Sequence, residues 1–193
     1  MKYKPVLLLS LVLAIFLTPL AHGEENSGKP GTISVLLDSR SYRDFIDEPV
    51  KQEDLDAIIA CGLRSPSAEN AQPWRFTVVR NRDIADEIIP TNGVVIVISV
   101  LPGSGLDDLD ELVSAFDCGL ATQAMYTAAQ ALGLGANIYW IPVAHVNATM
   151  RDALAIPDGY QVLMILAVGH IDTDAVSSAT SRNDAGDMVT YID

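Results

Sequence analysis

Residues 64–76 read Arg64-Ser65-Pro66-Ser67-Ala68-Glu69-Asn70-Ala71-Gln72-Pro73-Trp74-Arg75-Phe76, and they join two kinds of chain. Before them, residues 51–63 predict a helix, with Leu55, Ile58, Ile59 and Leu63 on one face and acids in the first turn. Gly62 and Pro66 mark where it ends. After them, residues 74–79 predict a strand. Between the two prolines lie Ser67, Asn70 and Gln72, whose side chains and exposed backbone groups suit a planar polar ligand. Polar loops beside strands are also ordinary, so this segment alone does not assign a function.

Working outward, residues 93–101 form a continuous apolar run, the pattern of a strand buried on both faces. Residues 109–132 hold the longest element: Leu109, Leu112, Val113, Phe116, Leu120, Ala124, Ala128 and Ala131 recur at spacings of three and four, as in a helix. Its second half is rich in small residues, which let another backbone come close at the centre of a domain or a dimer. Residues 32–38 predict a short helix, 134–141 and 161–168 strands, and 146–154 a helix. Residues 188–192 form a last strand-like run beyond a polar connection, an arm suited to pairing on another subunit. Helices and strands alternate, so the fold class is a layered α/β or α+β sheet with helices on both faces.

The first 23 residues read as a signal peptide. Lys2 and Lys4 precede an apolar run over 6–17, and Ala21-His22-Gly23 offers small residues for cleavage. The run is about 12 residues, against the roughly 20 of a transmembrane helix, which leaves an uncleaved anchor as the rival reading. Residues 24–31 read as a loose mature N-terminus and 32–193 as one domain, exported to the periplasm or beyond. The net charge is −13 and becomes −15 without the leader, which excludes nucleic acid and anionic membrane surfaces as partners. Cys61 and Cys118 lie in helical patterns 57 positions apart. They are expected to be buried free thiols, with a disulfide as the alternative in an oxidising compartment.

Two further segments carry candidate chemistry. In Ser39-Arg40-Ser41-Tyr42-Arg43-Asp44-Phe45, two arginines and a serine offer donors suited to a phosphate, although a solvated basic turn reads the same way. From Asp117 to Gln123 and on to Ala131-Leu132-Gly133-Leu134-Gly135-Ala136, two glycines allow a tight helix-to-strand turn. No metal-binding cluster and no general acid stands out.

The order Arg-Ser-x-Arg-x-Phe, then Ser-Pro-Ser-x-x-Asn-x-Gln-Pro-Trp, then an Asp-to-Gln segment followed by Ala-x-Gly-Leu-Gly, resembles the FMN-dependent nitroreductase superfamily over residues 36–169. The resemblance implies an α+β fold, a mixed, mainly antiparallel sheet flanked by helices, with a C-terminal arm exchanged in a homodimer that holds FMN at its interface. By matched position, Arg40, Ser41 and Arg43 would hold the phosphate and ribityl chain. Pro66, Ser67, Ala68 and Asn70 would lie along the isoalloxazine from the other subunit, with Gln72 near the ribityl chain or ring edge. Gly133, Leu134 and Gly135 would bring backbone near the flavin, and Arg182 would add to the phosphate site. The implied activity is a two-electron oxidoreductase acting on a small acceptor such as a nitroaromatic or quinone, with NAD(P)H or another reductant as donor.

Three departures stand against the family pattern. Ser39 replaces a first arginine, a loss of about 1.5–3 kcal/mol of phosphate binding. Gly169-His170-Ile171 stands where Gly-Tyr-Pro is common. Only 37 residues separate Val79 from Asp117, too few for the longer helical excursion that roofs the flavin in typical members, and residues 102–105 are too small a loop to serve as a lid. These departures motivate a second reading, an exported FMN- or flat-ligand-binding protein without NAD(P)H-driven turnover. A structural envelope protein is a third, which leaves residues 67–72 without a purpose.

Overall fold

The computed structural model describes residues 31–101, 108–172 and 180–192. The proposed leader, the segment 24–30 and the 102–105 loop lie outside the described residues.

In chain order the elements are α1 (Thr32–Asp38), α2 (Gln52–Leu63), a 3-10 turn (Ala68–Asn70), β1 (Trp74–Val79), α3 (Arg82–Ile88), β2 (Val94–Val100), α4 (Asp108–Ala131), β3 (Gly135–Tyr139), α5 (Val143–Thr149), β4 (Gln161–Gly169) and α6 (Ala185–Met188). The four strands form one sheet in the order β1-β2-β4-β3, and every neighbouring pair is antiparallel.

All seven residues of β2 are buried, which explains a sequence that is apolar at every position but Ser99. Ile96, Ile98 and Leu166 face Leu55, Ile58 and Met125 of α2 and α4. On the other face Val95, Val97 and Ile165 meet Ala85 and Ile88 of α3 and Val146 of α5. The alternation of side chains along each strand thus feeds two separate cores, and the expected helices on both faces are present.

One end of the sheet has a feature that positions the site. Gly93 precedes β2, Gly135 opens β3 and Gly169 closes β4, with Gly135 paired to Gly169 across the strands. Phe45, 6% exposed, rests on all three. A Cβ on Gly169 would lie 2.7 Å from Phe45 Cγ, and one on Gly93 or Gly135 would lie 3.0 Å from its ring. The absence of three side chains therefore makes the seat for one aromatic ring, and the ring fixes the segment carrying Arg40, Ser41 and Arg43. Tyr42 N–H adds a backbone bond to Ala136 O at 2.9 Å on the outer rim of β3.

Some elements differ from their sequence reading. Helix α5 starts at Val143 rather than 146, because Pro142 supplies a start where a missing N–H costs nothing, and it stops at Thr149. Helix α3 arises where Asn81 Oδ1 accepts the Ile84 N–H at 3.1 Å. The run 188–192 is not a strand within this chain. Asp184 caps a single helical turn by accepting the Gly186 N–H, and Val189 then turns extended with no neighbouring strand.

Candidate functional site

Helix α4 organises the candidate residues. Its C-terminal end closes through a Schellman motif, in which Leu134 N–H bonds Ala129 O at 2.9 Å and Gly133 N–H bonds Gln130 O at 3.0 Å. Gly133 takes φ +80 there, a conformation that costs glycine little. The Gln130 side chain turns toward the Ser39–Phe45 segment, and its Oε1 accepts the Arg40 N–H at 3.1 Å. Gln130 Nε2 is buried and has no hydrogen-bond partner among the described residues.

Arg40, Tyr42, Gln130, Gly133, Leu134 and Ile171 line a cleft of about 160 Å³, which Asp38 also borders. The Arg40 guanidinium stands 6.0 Å from the Tyr42 ring centroid. Arg43 lines a different cleft, about 350 Å³, together with Asp44, Arg82 and Asn92. Ser41, between them, is exposed. Ser39 donates its hydroxyl to Leu36 O at 3.0 Å and so closes the end of α1. Gly135 serves the packing of its own chain, since a Cβ there would come within 2.3 Å of Ile171 and 2.8 Å of Tyr42.

The loop 66–72 is held near the middle of α4. Ala68 N–H points at both oxygens of Asp117, at 3.2 and 3.1 Å. Asp117 is 5% exposed. Ser67 Oγ accepts the Gln72 N–H at 3.1 Å, and Gln72 Nε2 donates to Asn70 Oδ1 at 3.1 Å. Glu69, Asn70 and Gln72 adopt φ of +52, +59 and +47. Three non-glycine residues in the left-handed region within four positions store strain, the kind that collects where ligands are bound. Asn70 and Gln72 are exposed and Ser67 is half-buried, so the loop presents polar groups outward.

Beside the loop, Pro66 contributes to an apolar groove of about 560 Å³ between α2 and α4, also lined by Cys61, Leu120, Ala124 and Ala128. Leu112, Phe116 and Leu120 form an exposed stripe on α4, Phe116 at 63%. Cys118 is fully buried, and burial first, then the negative charge of Asp117, pushes its thiol up to about 12. Cys61 is exposed rather than buried, and neither cysteine is in a disulfide.

With Arg43 apart in its own cleft, Ser41 exposed and Gly135 taken up in packing, the other candidate residues fall into three groups. Arg40, Gly133 and Leu134 share the first cleft, while Pro66, Ser67, Ala68, Asn70 and Gln72 share the loop. Arg182 belongs to a segment, 180–192, in which every residue is exposed, and its Nη1 bonds Thr180 O at 2.9 Å. Asp117 and Gln130, the two tethers, received no role from the sequence. A polar residue inside an otherwise small or apolar helical run was the available signal for each. Among the described residues no group of His, Cys, Asp and Glu could hold a metal ion.

An antiparallel α+β sheet flanked by helices, with a cleft holding Arg40 and Asp38 on one side and a strained polar loop on another, defines the class of fold. Residues 37–93 and 93–170 match the model of the Nitroreductase family, and the chain belongs to that family. A protein of Archaeoglobus fulgidus named as an NADH dehydrogenase/NAD(P)H nitroreductase is 28% identical over 150 residues, 72% of this chain and 84% of its own. The FMN reductase [NAD(P)H] of Bacillus subtilis is 28% identical over 188 residues, covering 83% of this chain and 74% of the relative. Among solved structures, a nitroreductase with bound FMN from Desulfitobacterium hafniense superposes with a TM-score of 0.72 at 22% identity, over 84% of this chain and 98% of that one.

Proposed function

We propose that two copies of this chain bind FMN between them and work as a flavin oxidoreductase, passing two electrons to a small acceptor such as a nitroaromatic or quinone. The observation that carries the two-copy reading is the spacing of the tethers on α4. Asp117 and Gln130 stand about 20 Å apart along its axis and roughly 140° apart around it. Each chain therefore offers its Arg40 cleft and its Ser67–Gln72 loop in different directions, one to each of two ligands.

The residues present suit FMN. Arg40 supplies a fixed cation for a phosphate, and the buried, unpartnered Gln130 Nε2 offers a donor beside it. Ser67, Asn70 and Gln72 offer neutral donors and acceptors for the edge of a flat ring. FMN, when bound, supplies a two-electron redox centre whose reduced ring carries negative charge. The chain's own contribution is to hold that charge beside fixed donors and to orient the ring. The apolar stripe Leu112, Phe116 and Leu120 supports a partner copy, because so large an exposed run on one helix needs covering. The exposed apolar residues Met188, Val189, Tyr191 and Ile192 support an arm that crosses to that partner and pairs at its edge strand β3, beyond the Tyr42–Ala136 bond. Arg182 would travel with the arm to the partner's phosphate site.

The reductant is NAD(P)H or, if the chain is exported through residues 1–23, a donor available outside the cytoplasm. A second reading, flavin binding without NAD(P)H-driven turnover, is favoured by one observation: Arg43 lines a cleft apart from Arg40, which leaves the first cleft with a single arginine and Asp38 on its border.

The purified chain is expected to be a yellow dimer whose flavin absorbance bleaches anaerobically with dithionite or NADPH. A dimer that stays colourless and takes up no added FMN overturns the proposal. Binding with bleaching by dithionite but not by NADPH selects the second reading.

A further inference from the structure

Asp117 is a buried carboxylate with no cation against it among the described hydrogen bonds and ion pairs, and such groups are costly to keep. Among the described residues its partner is a single backbone N–H, that of Ala68, at the head of a loop in which Glu69, Asn70 and Gln72 all hold left-handed backbone. Strained backbone persists only where its surroundings over-determine it. The other hydrogen bonds of the loop, Ser67 to Gln72, Asn70 to Gln72 and the backbone bonds of Asn70 N–H to Ser67 O and Ala71 N–H to Ala68 O, are internal, so they cannot fix it to the body of the protein. The Ala68–Asp117 bond does, because Asp117 stands on the longest helix of the fold, one turn before Ala121 and two turns before Met125, both fully buried.

We infer that Asp117 is a positioning residue for the ligand site: a helix-borne carboxylate that touches no ligand and holds the Ser67–Gln72 loop in the strained shape that receives the flat ring. A neighbouring polar residue with no such tether would leave the loop free to relax into ordinary turn conformations, with Ser67, Asn70 and Gln72 no longer converging. The inference rests on the proposed flavin site for its consequence, but the tether itself can be tested without flavin.

In the full-length chain, Asp117→Ala removes the acceptor and Asp117→Asn keeps one acceptor oxygen while removing the charge. Hydrogen exchange of the Ala68 and Gln72 amides in flavin-free protein reports the tether. Exchange is expected to rise about tenfold to a hundredfold in Asp117→Ala, with the β2 amides unchanged, and to return to within about threefold of wild type in Asp117→Asn. FMN titration of the same proteins is expected to show affinity weakened by about tenfold or more in Asp117→Ala and largely rescued in Asp117→Asn, with a matching change in the visible circular dichroism of the bound flavin. Should Asp117→Ala not fold, Ala68→Pro deletes the donor from an exposed position, where Ser67 is already extended at φ −142 and ψ 152. It is expected to loosen Gln72 exchange and weaken FMN in the same way. Unchanged Ala68 or Gln72 exchange overturns the tether. Loosened exchange with wild-type FMN affinity and dichroism overturns its role in positioning. Wild-type protein that takes up no FMN sinks the flavin reading instead, and the exchange arm still decides the tether.

Discussion

Where Phe45 rests on the backbones of three glycines, Ala68 hangs from one carboxylate, and the two candidate halves of the site inherit that contrast. The Arg40 segment is fixed by shape. Phe45 fills a seat made by Gly93, Gly135 and Gly169, Tyr42 bonds the rim of β3, and Gln130 takes the Arg40 N–H. The loop 66–72 packs little, is largely exposed, and carries strain that a polar contact must offset. Packing is tolerant of pH and spread over many atoms, whereas a buried charge is local and can be lost in a single substitution. The lesson is that the two halves should fail differently.

The largest effect is expected at the packed half. Phe45→Ala empties the glycine seat and should destabilise the protein by about 3–5 kcal/mol in denaturant unfolding. Its loss should also free the Arg40 segment, so flavin affinity should drop together with stability. A cost below about 1 kcal/mol would mean that the seat collapses without penalty, and the contrast between the halves would go with it.

Alkaline pH should test the core beneath the Asp117 tether, where Cys118 is buried. The Cys118 thiol, beside Asp117, lies near 12 in the folded chain against 9.0 for the ordinary group, owing first to burial and then to the Asp117 charge. A raised value means the folded state holds the proton after the unfolded state has released it. The resulting stability is fully present below pH 9 and is lost as pH climbs from 9 toward 12. By pH 11 the wild type should have lost about 2–3 kcal/mol through this group. Cys118→Ala should be less stable at neutral pH but should lack that alkaline decline, which paired unfolding curves at pH 8 and pH 11 will show. Identical slopes in the two proteins would remove Cys118 as the cause.

A smaller effect is expected from Gln130→Leu, which deprives the Arg40 N–H of its acceptor and removes the buried Nε2. FMN affinity should fall about tenfold, from roughly 1–2 kcal/mol of lost hydrogen bonding, with little change in unfolding midpoint because Phe45 still holds the segment. A large fall in stability would show that the amide, and not the aromatic ring, is the main anchor.

The sequence made the fold readable where one pattern had one structural meaning. Residues 93–101 are apolar apart from Ser99 and become the fully buried β2, and the three-and-four spacing from Leu109 to Ala131 becomes α4. The ambiguities fell where a second contact decides the outcome. Residues 188–192 have strand composition but no strand beside them within this chain, so the same residues are left as an exposed extension of α6. Candidate site residues were readable as groups, because Ser67, Asn70 and Gln72 lie close in sequence. Their supports were not. Gln130 lies 90 positions from Arg40 and Asp117 lies 49 from Ala68, and neither distance leaves a periodic trace. The glycine seat was hidden for the same reason: Gly93, Gly135 and Gly169 matter through what they omit, and only the sheet register brings them together under Phe45.

The finest discrimination comes from the strain in the loop itself. Glu69 holds φ +52, which costs an ordinary L-residue roughly 1–2 kcal/mol. Glycine avoids that cost but brings a more flexible unfolded chain, worth roughly 0.5–1 kcal/mol against it. The first term is the larger, so Glu69→Gly should stabilise the protein by about 0.5 kcal/mol. For a chain of this size that corresponds to a rise of about 1–2 °C in Tm. Phe45 offers no counterpart, since its half of the site is held without left-handed side-chain-bearing backbone. A fall in Tm for Glu69→Gly would mean that the left-handed turn is comfortable for this sequence, and that the Asp117 tether holds a relaxed loop rather than a strained one.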